Sequence, residues 1–299
     1  MTWLTLAILT PFLFAITNFL EKFLVEKRIK NALNITILIG FSYGIIGTIL
    51  LVILHFPVLP LTQLLTLLGI GAILILYLIP YFLALIREDA SRIIPLFQVF
   101  PAMSLILSYL FLGETITGKQ LVGFILVILG GFILGTEKLE RGIFKPRISF
   151  WLMMLACLLY SVVGVAFKYA SANQGFWTPF AYEMMGGAIG SFLLLLYPLH
   201  WRKFSHEFIH MSKSTWGIMT ANMTFNALAD LSYSFAVTLA PVALVSVIGA
   251  IQPLFVLVGG IVITRYLPQF IKEDVDKSTL KLKAISIITI FVGIILINL

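Results

Sequence analysis

Charge is what this chain has least of. Asp, Glu, Lys and Arg make up 11% of its 299 residues, hydrophobic residues make up 60%, and mean hydropathy is +1.07. So few charges cannot cover the surface of a water-soluble domain of this size, which excludes that class. Cysteine is scarcer still: Cys157 stands alone, so there is no intrachain disulfide and no information about redox compartment. No G-x-x-x-x-G-K-[ST] phosphate loop occurs, which excludes ATP as the driving force by that route. No link between apolar runs is long enough to form a soluble domain. The opening run has neither a basic leader nor a small-residue cleavage site, so a retained span is expected there and not a signal peptide.

What the chain has is apolar length. Runs near the roughly 17–25 residues that cross a bilayer fall at about 3–20, 34–55, 64–86, 93–112, 120–135, 149–170, 177–199, 215–238, 241–263 and 282–298. A bilayer offers the backbone no hydrogen bonds, so such runs must be helices. The expected fold is an all-α integral membrane protein with ten transmembrane helices. The halves, 1–147 and 148–299, repeat one order of runs. Laying 68–101 on 220–253 matches Tyr81 to Tyr233, Ala84 to Ala236 and Pro101 to Pro253. A second register sets Ala15–Lys22 on Ser161–Lys168. Five runs per copy force the copies to face opposite ways, the inverted-repeat plan of many secondary transporters.

The net charge of +7 is no nucleic-acid footprint, because the basic residues sort by side. Of the 20 lysines and arginines, all but Lys119 and Lys168 fall in or beside the links after runs one, three, five, seven and nine. Links rich in Lys and Arg are the cytoplasmic ones, which places both termini outside the cytoplasm.

The stretch Pro95–Gly135 combines the mid-run Pro101, a Leu112-Gly113-Glu114 turn, a short link with Lys119-Gln120 and a glycine-rich last run. The second half offers Pro253, then Glu273 in a longer link and a last run ending in Val292-Gly293. The opening stretch Pro11–Leu24 carries Asn18 and Lys22 near its end. In these features the chain resembles EamA-type transporters of the drug/metabolite transporter superfamily along nearly its entire length. The resemblance implies ten helices in two inverted repeats, moving amino acids, nucleotide sugars, other small metabolites or drugs by alternating access. It also implies cytoplasmic termini, against the charge distribution. Its motifs identify a superfamily and no substrate.

Polar groups at depth are costly and tend to mark pathways. Asn222, Asn226 and Asp230 recur at steps of four and Tyr233 follows three later, so all four share one helical face. The aligned positions in the first half are Ile70, Leu74, Leu78 and Tyr81; only the tyrosine recurs, so the stripe is not repeated scaffold. Asparagines also serve as hydrogen-bonding glue between helices, which leaves Asp230 as the first candidate for a coupling group. Counting about 1.5 Å per residue, Lys168 lies a few ångströms inside the face poor in basic residues. On the same scale Glu183 is roughly 9 Å deep and Asp230 roughly 12 Å. Two acids and a base at similar depth partly neutralise one another and can exchange partners with a charged substrate or a proton. Such a trio suits a zwitterion such as an amino acid. The alternative for Lys168 is snorkelling to the headgroups.

Gln98 and Gln252 stand just ahead of Pro101 and Pro253, where a proline frees a carbonyl and can kink a helix; kinked helices at a repeat interface line binding sites or simply pack. Glu114 and Glu273 suit helix starts, where acids are favoured. Gly123 with Gly130, and Ser286 with Gly293, open strips of small residues for close helix packing. They resemble the dimer seam of short four-helix relatives, here satisfied internally between runs five and ten. One motif argues for another class: His206-Glu207-x-x-His210 matches H-E-x-x-H, a zinc hydrolase pattern. A catalytic zinc needs a third protein ligand and no partner motif follows, so an amphipathic interfacial stretch is the plainer reading. The resulting expectation is a non-enzymatic secondary transporter, an exporter or exchanger of small metabolites, with protons as a candidate coupling ion. The alternatives are a lipid-linked carrier with a laterally open groove and the zinc hydrolase. The expected partners are a small-molecule substrate and the bilayer, with no cofactor, metal or nucleic acid.

Overall fold

The computed structural model describes residues 2–29, 32–85, 87, 94–135, 147–172, 174–266 and 277–298. Glu273 lies outside the described residues. The first half contains α1 (Thr2–Lys27), α2 (Ala32–Ile53), α3 (Leu61–Leu76), α4 (Leu78–Leu85), a 3-10 turn (Ile94–Val99), α5 (Phe100–Leu112) and α6 (Gly118–Gly135). The second contains α7 (Ile148–Ser171), α8 (Trp177–Leu195), α9 (Pro198–Ile209), α10 (Lys213–Leu239), α11 (Val242–Ile248), a 3-10 turn (Gly249–Ile251), α12 (Gln252–Tyr266) and α13 (Lys277–Asn298). No strand occurs among the described residues.

Helix occupies each of the ten expected runs, but not all of them qualify as spans by length and composition. Five do: Thr2–Val25, Leu33–Ile53, Leu61–Ala84, Ile148–Ser171 and Val242–Gly260. The α8 helix makes a sixth only together with α9, from which it is bent by 110°. Leu96–Leu112, Gly118–Ile133 and Ile285–Asn298 are shorter apolar helices. The α10 helix has length to spare at 27 residues, but its asparagines, aspartate, serines and threonines dilute its apolar character.

At the prolines the helix changes type: Pro101 and Pro253 are each the second residue of an α-helix, just after a 3-10 turn. Proline suits a helix start because its missing N–H would have no partner there and its φ is already helical. Both halves therefore break in the same place. Carbonyls at the first break are taken up by α7: Cys157 Sγ donates to Leu96 O (3.8 Å) and Ser161 Oγ to Phe100 O (3.2 Å). Pro80 sets a third break. Its absent N–H leaves the Leu76 carbonyl without a helical donor, and the chain turns at Tyr77 between α3 and α4.

Close packing rests on small residues. A Cβ on Gly293 would come within 2.7 Å of Gly123 O, and one on Gly130 within 2.9 Å of Ser286 O. Here α6 and α13 lie backbone to backbone, antiparallel, along the strips noted in the sequence. The α8 helix is clasped on two sides. Gly40, Gly44 and Gly47 bring α2 against Gly187, Ala188 and Met185, while Gly71 brings α3 against Glu183 and Gly186. Ile45, Ile49, Leu110, Phe111, Phe192 and Ile288 turn outward, as an apolar solvent requires.

Replacing Gly293 with leucine should force α6 and α13 apart. Overpacking a tight seam costs about 1–3 kcal/mol, so the detergent-solubilised variant should melt several degrees lower. Gly118→Leu, at a position with nothing within 4 Å of a Cβ, should melt like the parent. Equal melting of all three would contradict the seam.

Candidate functional site

The α1 helix runs 26 residues, past the expected end of its apolar run, and so carries Glu21 inside the bundle alongside α10. There Asn222 Nδ2 donates to Glu21 Oε1 at 3.4 Å and Asn226 Nδ2 to the same oxygen at 3.3 Å. Asn226 also donates to Asn222 Oδ1 at 3.2 Å. One turn before Glu21, Thr17 O accepts from Asn222 at 3.5 Å. The two asparagines of the α10 stripe thus face α1, each donating to the same oxygen of a carboxylate.

Two turns from Asn222, the stripe meets other helices. Tyr43 of α2 donates its hydroxyl to Asp230 Oδ2. Glu183 of α8 is fully buried and its Oε2 accepts from Ser234 Oγ at 3.4 Å. Its Oε1 has no hydrogen-bond partner among the described residues. Asp230 and Glu183 are close enough to act on each other electrostatically, and Tyr160 feels the charge of both. The buried Asp230 and Glu183 carboxylates therefore lie near each other, and the half-buried Glu21 stands further along the same face of α10, on Asn222 and Asn226.

Tyrosines fill the space between. Tyr160 of α7 has its ring centroid 4.8 Å from Tyr77, 5.6 Å from Tyr233 and 4.8 Å from Phe100. Tyr77 sits at the break that Pro80 makes. Tyr233 reaches Ser246 Oγ at 3.2 Å, and its hydroxyl occupies the space that a Cβ on Gly164 would need. The Tyr160 hydroxyl is buried and unpartnered among the described residues. Tyr81 packs at the edge of this group, 6.1 Å from Phe97.

The structure brings Asp230, Glu183, Asn222, Asn226 and Tyr233 of the expected residues together; Lys168 is not with them. Its Nζ lies 2.5 Å from Glu114 Oε1 and donates to Ala240 O at 2.7 Å. Glu114 Oε2 accepts from the Val242 N–H at 2.7 Å. Ala240 closes the C-terminal end of α10 and Val242 opens α11. The ammonium therefore sits at the negative end of one helix dipole and the carboxylate at the positive end of the next. Glu114 caps a helix as expected, but the helix is α11 and not its own successor. Reckoning by depth put Lys168 beside the acids; the link at 113–117 offers a nearer one. Gln98 is buried with Oε1 unpartnered beside Gly131, and Gln252 is half-buried; among the described residues neither bonds to the acids.

Glu21, Tyr43, Tyr77 and Tyr160 escaped the sequence reading. Glu21 read as a link residue beside Lys22. The available signal was an amphiphilic continuation, Thr17 and Glu21 at one helical spacing, carrying α1 further. The H-E-x-x-H segment lies on α9. Glu207 Oε2 accepts from Asn34 Nδ2 of α2, the rings of His206 and His210 lie 4.6 Å apart, and no group of three His, Cys, Asp or Glu side chains that could hold a metal occurs among the described residues.

Residues 1–136 match the EamA-like transporter family. An uncharacterized protein of Methanocaldococcus jannaschii is 38% identical over 69 residues, 23% of this chain. The match spans only 46% of that relative's length. A solved crystal structure of another protein covers 99% of this chain and 95% of its own, with a TM-score of 0.69 at 16% identity; at that identity the likeness is one of fold. The resemblance to EamA-like transporters holds over residues 1–136, and with the apolar helices it indicates a multi-pass integral membrane protein.

Glu114→Ala removes the acceptor for Val242 N–H and the counter-charge of Lys168, whereas Glu114→Gln keeps an oxygen for the N–H. The alanine variant should lose about 1–3 kcal/mol, read as a drop in melting midpoint, and the glutamine variant clearly less. Equal losses would show that the cap on α11 carries nothing.

Proposed function

Proceeding from an EamA-like unit over residues 1–136, we propose that the whole chain is a secondary active transporter of two inverted five-helix halves. It moves a small metabolite by alternating access, with proton movement coupled at the buried acids. Exchanging the halves maps many helix pairings onto one another. The α6–α13 and α2–α8 pairs map to themselves, α1–α10 maps to α3–α7 with α4–α7, and α5–α7 maps to α1–α12. The α5–α6 link, the end of α7 and the α10–α11 turn meet through Lys168 and Glu114. At that same end Trp3 and Asn298 share a groove with Ala240, as an even number of crossings demands. The exchange is imperfect in one place: α3 packs densely on α8, while its counterpart pair α10–α2 meets sparsely. Inequality between equivalent pairs is what a two-gated carrier has when one gate is closed.

The observation that carries the reading is the group of three carboxylates inside an apolar bundle. Ionisable groups inside membranes mark ion and proton paths. Asp230 is faced by Tyr43 from α2, Tyr77 from α3, Tyr160 from α7, Glu183 from α8 and, further along, Glu21 from α1. No described lysine, arginine or histidine pairs with these acids, so discharging them takes protons or a bound ligand. No described feature favours the lipid-carrier or zinc hydrolase alternatives.

The test is flux in proteoliposomes under an imposed pH gradient, with a panel of amino acids and amines. The wild type should accumulate at least one solute in a gradient-dependent way. Asp230→Asn with Glu183→Gln should lose gradient-driven flux at least ten-fold in protein that still melts cooperatively in detergent. Unchanged gradient-driven flux in the double variant would overturn the coupling role, and no flux of any solute by the wild type would overturn transport itself.

A further inference from the structure

Charge balance names the class of molecule that fits this site. We infer that the Asp230–Glu183–Tyr160 region binds the ammonium group of a protonated primary amine that has no carboxylate of its own, aromatic amines above all. The inference rests on the transport reading of that region. A zwitterion needs a cationic group to receive its carboxylate. The lysine at hand, Lys168, is held by Glu114 Oε1 at 2.5 Å and Ala240 O at 2.7 Å, so its charge and two of its three hydrogens are engaged at the bundle end. No other described lysine, arginine or histidine bonds to Glu21, Glu183 or Asp230. A site with acids and no base among the described residues repels a second carboxylate and attracts a cation.

Six buried polar side-chain atoms have no partner among the described residues, and two of them, the Glu183 carboxylate oxygen and the Tyr160 hydroxyl, belong to this region. Glu183 Oε1, on a side chain with 0% exposure, accepts nothing, and the Tyr160 hydroxyl, on a side chain with 4% exposure, is unbonded. Unsatisfied groups of this kind are rare in native interiors and call for an occupant. An ammonium carries three donors, enough for these two oxygens and for Asp230, whose Oδ2 already takes the Tyr43 hydroxyl. A bare metal ion fits worse. It needs six or more oxygens converging at about 2.3–2.6 Å in the calcium case, and no such group of acids gathers among the described residues.

The ring content favours an aromatic body. Tyr77, Tyr160, Tyr233 and Phe100 form a run of ring contacts at 4.8–6.4 Å, an aromatic surface against which another ring can pack by offset stacking. Cations are further stabilised over tyrosine faces. The bound amine and the protons of the acids then compete: entry of the ammonium discharges the carboxylates electrostatically, so a proton leaves as the amine arrives.

Isothermal titration of the detergent-purified full chain with 2-phenylethylamine tests this. Phenylalanine, which adds only a carboxylate, and 2-phenylethanol, which removes only the charge, are the comparators. The expected result is binding of 2-phenylethylamine at least ten-fold tighter than either, weakening as pH falls. Glu183→Gln and Asp230→Asn should each weaken it ten-fold or more, and Tyr160→Phe several-fold, with folding checked by melting in detergent. Phenylalanine binding as tightly as the amine, or amine binding indifferent to all three substitutions, would overturn the inference. So would an absence of amine binding by a wild type that still drives other solutes in the vesicle assay. That pattern would leave the transport reading standing, whereas vesicles that move nothing would remove the transport reading as well.

Discussion

Three carboxylates in a body that is 60% hydrophobic set the terms for everything around them. An uncompensated charge in low dielectric is worth many times a surface ion pair in lost solvation, so each acid must be met by donors, protons or a ligand. The bundle meets two of them in different ways. Glu21 receives two asparagine amides from α10. Asp230 receives a tyrosine hydroxyl from α2. Glu183 is met on one oxygen alone, by Ser234. That shortfall sets Glu183 apart from Glu21 and Asp230 and supports the proposed site there.

Small residues make the arrangement reachable. Glu183 can stand opposite α10 because its own helix is pressed by α2 and α3 through glycines on all three helices. Breaks serve the same end. Pro80 turns the chain at Tyr77, bringing a ring against Tyr160, and the 3-10 turns before Pro101 and Pro253 place irregular backbone within the bundle in both halves. Irregular backbone at depth persists only where neighbours re-satisfy it, as Cys157 and Ser161 do for Leu96 and Phe100. The charged pair Lys168–Glu114 belongs to the bundle end and not to the region around Asp230. It ties the α10–α11 turn to the α5–α6 link by lying between helix ends of matching sign.

The architecture was legible where one helix decides the matter alone. Apolar length found helix at every expected place, the four-residue spacing found the buried α10 stripe, and the seven-residue spacing of Gly123 with Gly130 and Ser286 with Gly293 found a seam that the structure closes between α6 and α13. What could not be read were choices between helices. Glu21 looks like a border residue until α10 supplies its asparagines. Tyr43 and Tyr160 are single polar rings in apolar runs and announce nothing until they meet Asp230 and Tyr77. Lys168 was matched to acids by depth along a helix, but its partner was selected by which link folds over it. The prolines were seen, and their place one step inside a helix start was missed because a run of apolar residues hides a 3-10 turn.

Proton release on ligand binding is the most direct measurement of the central claim, that buried acids exchange protons for a charged solute. Purified protein in weakly buffered detergent, titrated with 2-phenylethylamine beside a pH indicator, should release protons in proportion to amine bound, and Asp230→Asn should release fewer. Saturable binding with no proton release would contradict exchange at these acids.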